Sequence, residues 1–324
     1  MNSRALVFLL AVSAASSGHG EILPNPSIIG SATPFNGGYT AGNLFDGNRD
    51  SDYASATLGV NTFVDLDFGT PVTMDRFFLM TRFNPVDVVG TANLVLSNNA
   101  DFSSPLATFS LSPSGSNGAA PIFSFPSTTV RYARWDVITS TGGSENLGGI
   151  EMRFLRSRPG SSPVSATVIG GSTPFSPSYA LANAANNDAG RDGSDHEYAI
   201  NGSLTPPTNL FVDFDFGALK SISGFDFFDR MAAEDRNTGF DLIFSNDPAF
   251  SSIVTTQSYA PGPDWGYSQT FAPVNARYVR FDSTASGGNP GMAEMSFYAV
   301  PEPSSVLLAG MAGLVLTAAR RHRR

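Results

Sequence analysis

Phe63-Val64-Asp65-Leu66-Asp67-Phe68-Gly69 returns about 148 residues later as Phe211-Val212-Asp213-Phe214-Asp215-Phe216-Gly217. A heptapeptide repeated at that distance marks an internal duplication, and the duplication decides how the rest of the chain is read. Within each copy apolar and acidic residues alternate, the period of a half-buried strand with one wet face.

The likeness extends outward on both sides. Ile28-Ile29-Gly30-Ser31-Ala32-Thr33-Pro34-Phe35 is answered by Val168-Ile169-Gly170-Gly171-Ser172-Thr173-Pro174-Phe175, and Tyr39 by Tyr179. Downstream, Phe78 to Arg82 is answered by Asp226 to Arg230 and Ser97-Asn98 by Ser245-Asn246. Arg131-Tyr132-Ala133-Arg134-Trp135-Asp136 matches Arg277-Tyr278-Val279-Arg280-Phe281-Asp282. The offset changes only between these blocks, so insertions fall in loops of a shared framework.

Further strands are expected over Arg76 to Met80, Ala92 to Leu96 and Val130 to Val137. Gly69-Thr70-Pro71, Asn98-Asn99 and Gly142-Gly143 supply turn chemistry between them. Strands at this spacing, without helical patterns between them, read as an antiparallel β-sandwich. Composition agrees: 26 Phe, 32 Gly, 22 Pro and 15% charged residues suit short strands joined by turns. At 324 residues there is room for two domains, each with its own core. The expected organisation is a signal peptide over 1–20, modules over 21–157 and 164–299, a Pro/Gly/Ser linker over 158–163, and a separate tail over 300–324.

The chain has no cysteine, which removes disulfides and thiolate metal sites. Formal net charge is −9, and five of the 19 basic residues (Arg4, Arg320, Arg321, Arg323, Arg324) lie in the two terminal segments, so the body is more acidic still. Such a surface disfavours nucleic acid and anionic membrane as partners and permits cation binding.

Met1 to Gly20 has a basic start at Arg4, an apolar run from Ala5 to Ala15 and then small residues, the layout of a secretory signal peptide too short to span a bilayer stably. At the other end, Val300-Pro301-Glu302-Pro303-Ser304 precedes an apolar run from Val306 to Ala319 and then Arg320-Arg321-His322-Arg323-Arg324. That run is shorter than the ~18 to 20 residues of a stable transmembrane helix, and the arginines would hold the extreme end on the cytoplasmic side. The segment reads as a transient membrane stop. Pro301-Glu302-Pro303, the apolar run and the basic cluster together resemble the PEP-CTERM sorting signal of Gram-negative bacteria. The resemblance implies processing by an exosortase, transient inner-membrane insertion, and delivery to the cell surface or an extracellular polysaccharide matrix.

The modules carry a second resemblance. Asn43-Leu44-Phe45-Asp46-Gly47-Asn48, the strand Val64 to Gly69, the Ser97-Asn98 turn after Leu94-Val95-Leu96, and the Arg-Tyr-x-Arg strand near each module's end are similar to the discoidin (coagulation-factor type C) domain and its carbohydrate-binding relatives. All of these are galactose-binding-like, jelly-roll β-sandwiches, so the fold class implied is all-β with two tandem sandwiches. The resemblance also implies a structural Ca2+ held by Asp46, Asn48 and Asp50 with the late Glu151. Calcium takes six to eight oxygens, which a Gly-containing acidic loop can aim at one point. The competing reading of that loop is an ordinary Asx turn capped by its own side chains. In module two Asn186-Asn187 stands where Asp46-Gly47 does, Asp188, Asp192 and Asp195 arrive through an insertion, and Glu294 is the late Glu.

In the same relatives the ligand face is a loop end, where an Arg forks onto sugar hydroxyls and an aromatic ring covers the sugar's apolar face. Arg82 and Arg230 are the matching arginines. Arg230 followed by Asn237-Thr238-Gly239 resembles the relatives' Arg and Asn-Gly pairing, and Trp265 and Tyr267 are the aromatics expected to stack. The plainer readings are that a strand-end Arg is a structural salt-bridge partner and that a loop Trp plugs a sandwich end.

Catalysis has little support. His196 is the one histidine between the terminal segments, Cys is absent, and no Gly-x-Ser-x-Gly elbow occurs. Asp195-His196-Glu197 reads as a solvated loop, and Asp65 with Asp67 as a wet strand face rather than an acid/base pair. The sequence therefore points to a non-catalytic, exported cell-surface or matrix protein that binds a cell-surface glycan or exopolysaccharide. The alternative is a structural surface or biofilm-matrix protein that makes protein-protein contacts without sugar specificity.

Overall fold

Alternation in the duplicated heptapeptide puts Val64 and Leu66, and likewise Val212 and Phe214, wholly inside, with the aspartates on the opposite face. The computed structural model describes residues 21–48, 50–113, 118–143, 145–157, 160–190, 196–200, 210–230, 232–262 and 264–300. The signal peptide expected over 1–20, the sorting residues Pro301, Glu302 and Pro303, and Asp192 lie outside the described residues.

The first module comprises β1 (Glu21–Ile22), β2 (Ser27–Ser31), β3 (Tyr53–Ala54), β4 (Phe63–Leu79), β5 (Val89–Ser97), β6 (Ala107–Leu111), β7 (Phe123–Ser140), β8 (Gly148–Gly149) and β9 (Met152–Arg156). The second comprises β10 (Ser162–Val164), β11 (Thr167–Gly171), β12 (Tyr198–Ala199), β13 (Phe211–Phe228), β14 (Asn237–Ser245), β15 (Ile253–Tyr259), β16 (Gly266–Ser286), β17 (Gly291–Met292) and β18 (Glu294–Ala299). Strand order is β1-β9-β4-β7-β5-β6 with β2 on β4, and then β10-β18-β13-β16-β14-β15 with β11 on β13. The two sheets have the same topology, as a duplication requires, and no helix among the described residues is long and apolar enough to cross a membrane.

Two strands expected over Phe63 to Phe68 and Arg76 to Met80 are one continuous strand, whose register with β7 slips between Asp67 and Val72. At the slip the Asp67 carboxylate accepts the Gly69 N–H at 2.7 Å, and Asp215 accepts the Gly217 N–H at 2.7 Å in the second module. The Gly-Thr-Pro signal thus makes a bulge rather than a turn, and the strand bends instead of ending. Both halves of β4 face one core: Val64 and Leu66 pack with Phe77, Leu79, Trp135 and Phe154. Each sheet in this way closes over itself as an antiparallel β-sandwich, the second around Phe214, Phe225, Phe227, Phe240 and Phe281. The linker expected over 158–163 is shorter than its composition suggested, because Ser162 and Pro163 already pair with Ala299 and Tyr298.

The acidic face of the heptapeptide is only partly wet. Asp65 and Asp213 are buried, each gripped by a two-pronged fork: Arg134 on Asp65 at 2.5 and 2.8 Å, Arg280 on Asp213 at 2.7 and 2.9 Å. Arg131 grips Asp67 and Arg277 grips Asp215 in the same way, and these arginines hold both carboxyls below the usual carboxylate range. The repeated Arg-Tyr-x-Arg is therefore the cross-strand complement of the repeated Asp-x-Asp. The repeated Ile-Gly of β2 and β11 belongs to the same unit, since a Cβ on Gly30 would stand 3.0 Å from Asp65 Oδ2 and one on Gly170 3.1 Å from Asp213 Oδ2.

The two modules are docked through a buried seam. Phe78 and Met80 of module one, with Ile122, Ile150 and Leu155, join Phe228, Trp265, Ala189 and Ala293 of module two in a single apolar cluster. Phe78 meets Phe228 at 5.5 Å and Trp265 at 5.6 Å between ring centroids, both edge to face. Beside them the Arg76 guanidinium donates to the fully buried Asp226 at 2.9 Å, and Asp226 also accepts Ser268 Oγ at 2.6 Å and the Tyr298 hydroxyl. At the far side of the seam Ala120 N–H donates to Asp188 Oδ1 at 2.6 Å, while Ile122 and Asn187 exchange bonds at 3.1 and 3.0 Å.

Removing one partner of a buried pair leaves the other charge without compensation. Arg76→Ala is expected to lower stability by about 3–5 kcal/mol, read as the shift in the urea midpoint at constant m-value. A loss below ~1 kcal/mol would mean that the seam does not depend on this pair.

Candidate functional site

Each module presents the same constellation at one loop end. The chain leaves β4 through Met80 and Thr81 to Arg82, and leaves β13 through Asp229 to Arg230. Arg82 donates to Asp52, to Asp87 at 2.5 Å and to the Asn146 carbonyl at 2.7 Å. Arg230 donates to Asp235 at 2.5 Å, Glu197 at 2.9 Å and the Asn289 carbonyl at 2.6 Å. Both arginines are buried and each is paired with two carboxylates.

Outside each arginine stands an aromatic pair. The Arg82 guanidinium lies 5.6 Å from the Tyr39 ring centre, and Arg230 lies 5.4 Å from that of Tyr179. Phe35 meets Tyr39 edge to face at 5.8 Å, and Phe175 meets Tyr179 at 5.7 Å. Phe35 is 51% exposed and Phe175 50% exposed, a large apolar face left to solvent at the same place in both modules. The backbone fixes these rings, because Phe35 N–H donates to the Ala54 carbonyl and Phe175 N–H to that of Ala199. The result is an aromatic ledge backed by a fixed cation whose carboxylate partners Asp87, Glu197 and Asp235 are buried with it, while Asp52 is partly exposed. Two carboxylates face each arginine, so each end carries net negative charge.

The aromatics expected to stack are elsewhere. Trp265 is wholly buried in the seam between Phe78 and Phe228, under the Arg153 guanidinium at 5.6 Å, so it plugs a junction rather than facing ligand. Tyr267 packs against Phe225 and Phe240 at the rim of the second core. Asn237 is buried, donating to Asp229 at 2.9 Å and the Gly291 carbonyl at 2.7 Å and accepting the Ser283 hydroxyl at 2.7 Å. Burial pushes Asp229 up to about 7 in spite of those donors. The residues the sequence reading passed over are Phe35 and Phe175. Their signal was their recurrence at matched positions after Thr-Pro, where no core pattern required an aromatic ring.

Asp195-His196-Glu197 was expected as a solvated loop, yet His196 and Glu197 are buried. Glu197 serves Arg230, and His196 Nδ1 lies 3.1 Å from Asp188 Oδ2, the carboxylate that also takes the seam N–H of Ala120.

The residues expected to clasp calcium form hydrogen-bonded turns. Asp46 accepts Asn48 N–H at 2.8 Å and Ser51 Oγ at 2.6 Å, and Asn48 Oδ1 accepts Asp50 N–H at 3.0 Å. Glu151 accepts Gly47 N–H at 2.5 Å and Arg153 at 2.7 Å. In module two Glu294 accepts Asn187 N–H at 2.8 Å and Ser296 Oγ at 3.1 Å. Gly47 at φ +70° and Asn187 at φ +63° hold equivalent backbone conformations, which glycine and asparagine tolerate best. Each carboxylate oxygen of the two glutamates thus accepts one hydrogen bond and keeps a second lone pair. Among the described residues no group of three or more His, Asp or Glu side chains converges as a metal site. In both modules the loop is closed by these hydrogen bonds. Adding EDTA is accordingly expected to leave the melting temperature unchanged, and a fall of several degrees reversed by calcium would return the loop to a metal role.

Burial also pushes the Glu294 carboxyl up to about 8. A carboxyl whose folded value lies above its unfolded one keeps its proton longer in the native state, so stability is full below the ordinary carboxylate range and is lost as pH rises through the folded value. The melting temperature is expected to fall between about pH 4.5 and 8, with a shallower fall in Glu294→Gln. Identical slopes in the two proteins would show that Glu294 does not titrate in that window.

Comparison with known proteins adds the following. The fucolectin of striped bass (Morone saxatilis) serum aligns over 88% of this chain and 99% of its own, at 14% identity and a TM-score of 0.35. The CBM32-1 and CBM32-2 domains of Clostridium perfringens ZmpB align over 87% and 94% at 12% identity and a TM-score of 0.37. Allantoicase of Saccharomyces cerevisiae aligns over 84% and 90% at 12% identity and a TM-score of 0.34. At these values none of them carries its ligand or chemistry to this chain. No curated protein matches the sequence. Residues 299–324 match the PEP-CTERM protein-sorting motif.

Proposed function

We propose that this chain is an exported, surface-sorted, non-catalytic protein that binds glycan of the cell surface or extracellular matrix through the aromatic ledges of its two modules. The observation that carries the reading is the pair Phe35 and Phe175, half exposed, each set edge-on to a tyrosine over a buried arginine. A sugar ring lays its apolar face on an aromatic ring, which the half-exposed Phe35 and Phe175 supply, and its hydroxyls against fixed polar groups. The sorting motif over 299–324 supports the location: an exosortase acts on the tail after export, and the modules reach the surface or the matrix.

A second reading has its own support. Among the described residues strands β6 and β15 each pair on one side only, and β15, Ile253-Val254-Thr255-Thr256-Gln257-Ser258-Tyr259, has no charge or proline to protect that edge. Such an edge favours protein-protein contact, and with it the structural-matrix role.

A glycan array separates the two. The chain is expected to bind a subset of glycans, Phe35→Ala and Phe175→Ala each to bind at least about tenfold more weakly, and the double variant not to bind. Absence of binding by the unaltered chain, together with self-association that substitutions in β15 abolish, would replace the glycan reading with the structural one.

A further inference from the structure

We infer that the two ledges form one bivalent surface that takes a single extended chain of neutral or amino sugars. This rests on the glycan-binding reading and adds to it the ligand's length and charge class.

The seam fixes the relative direction of the modules. Arg76 meets Asp226 at 2.9 Å, and two residues further along both strands Phe78 meets Phe228 at 5.5 Å between centroids. Residue numbers rise together on both sides, so β4 and β13 cross the seam running the same way. Both strands then lead to their arginines, four residues beyond Phe78 and two beyond Phe228. At ~3.3 Å per residue the arginines lie roughly 13 and 7 Å past that contact. Facing strands of packed layers stand about 10 Å apart, which sets Arg82 and Arg230 within roughly 10 to 20 Å of each other on one side of the molecule. The ledges, built on those arginines, then lie on that side too, and a buried ion pair, three aromatic rings and the reciprocal bonds of Ile122 with Asn187 hold the seam between the modules. Two weak sites held at fixed separation act on one polymer as if the second were already at high local concentration, provided that the polymer spans them.

Charge selects within that class. Arg82 is opposed by Asp52 and Asp87, and Arg230 by Glu197 and Asp235, so each ledge repels a uronate and tolerates an uncharged or protonated amino sugar.

Two experiments test the inference on the purified chain. First, affinity is measured against ladders of N-acetylated and deacetylated chito-oligosaccharides and of oligouronates, from two to eight residues. Affinity is expected to rise about 100-fold along a chito ladder, Phe35→Ala and Phe175→Ala each to flatten that rise while keeping weak binding of short members, and oligouronates to bind least. A ladder that is flat in the unaltered chain, a rise that survives either single variant, or preferred binding of oligouronates would overturn the inference while leaving glycan binding intact. Failure of every probe, on the array and on the ladders, would overturn the glycan reading and the inference together. Second, because the chain has no cysteine, Phe35→Cys with Phe175→Cys places two spin labels without background. A single narrow distance distribution under about 40 Å is expected, and a broad or longer one would show that the ledges are not held side by side.

Discussion

The buried ion pair between Arg76 and Asp226 is the constraint on which the arrangement of this molecule depends. Two charges removed from water need partners, and here Asp226 takes Arg76, Ser268 and the Tyr298 hydroxyl. Arg76 lies over the Tyr298 ring at 5.0 Å, with its Nε alone lacking a hydrogen bond among the described residues of this network. Such a network is met in one docking pose and broken in neighbouring ones. It specifies the pose, and the aromatic cluster of Phe78, Phe228 and Trp265 supplies the apolar burial beside it.

The duplication explains why this seam exists and why it is not symmetric. Matched blocks are nearly the same where each module needs its own fold: the Asp-x-Asp strand, the Arg-Tyr-x-Arg strand and the glycine that lets β2 or β11 approach the aspartate. They diverge at the docking face. Phe78 of module one stands where module two has Asp226, so one copy brings a ring and the other a charge to matched places. A repeated module becomes a heterologous pair by such replacements, without alteration of its framework.

Much of the fold was legible in the sequence because the period-2 alternation and the repeat both report on single strands and their cores. Contacts between modules leave no such periodic mark. Trp265 lies in a Pro/Gly-rich stretch that resembles an exposed loop, and only the neighbouring module makes it interior. Arg82 and Arg230 were legible as loop-end residues, but their carboxylate partners Asp52, Asp87, Glu197 and Asp235 come from separate loops whose convergence no spacing encodes. The acidic turn at Asp46 was legible as a turn and not as a choice between metal and hydrogen bonds. The donors that meet the late glutamates in this structure are Arg153 for Glu151 and Ser296 for Glu294, each two residues beyond the glutamate it serves.

The sheet of module two ends where the sorting motif begins. Ala299 pairs with Ile222 and Ser162, Val300 N–H donates to the Ser221 carbonyl at 3.0 Å, and the motif match opens at residue 299. These two residues therefore belong both to the hydrogen-bond ladder that closes the sandwich and to the stretch that matches the sorting motif. The tail is not an interchangeable cassette: a splice that replaces the whole motif also cuts the last rungs of the ladder, and a replacement keeps the module intact only if it begins after Val300.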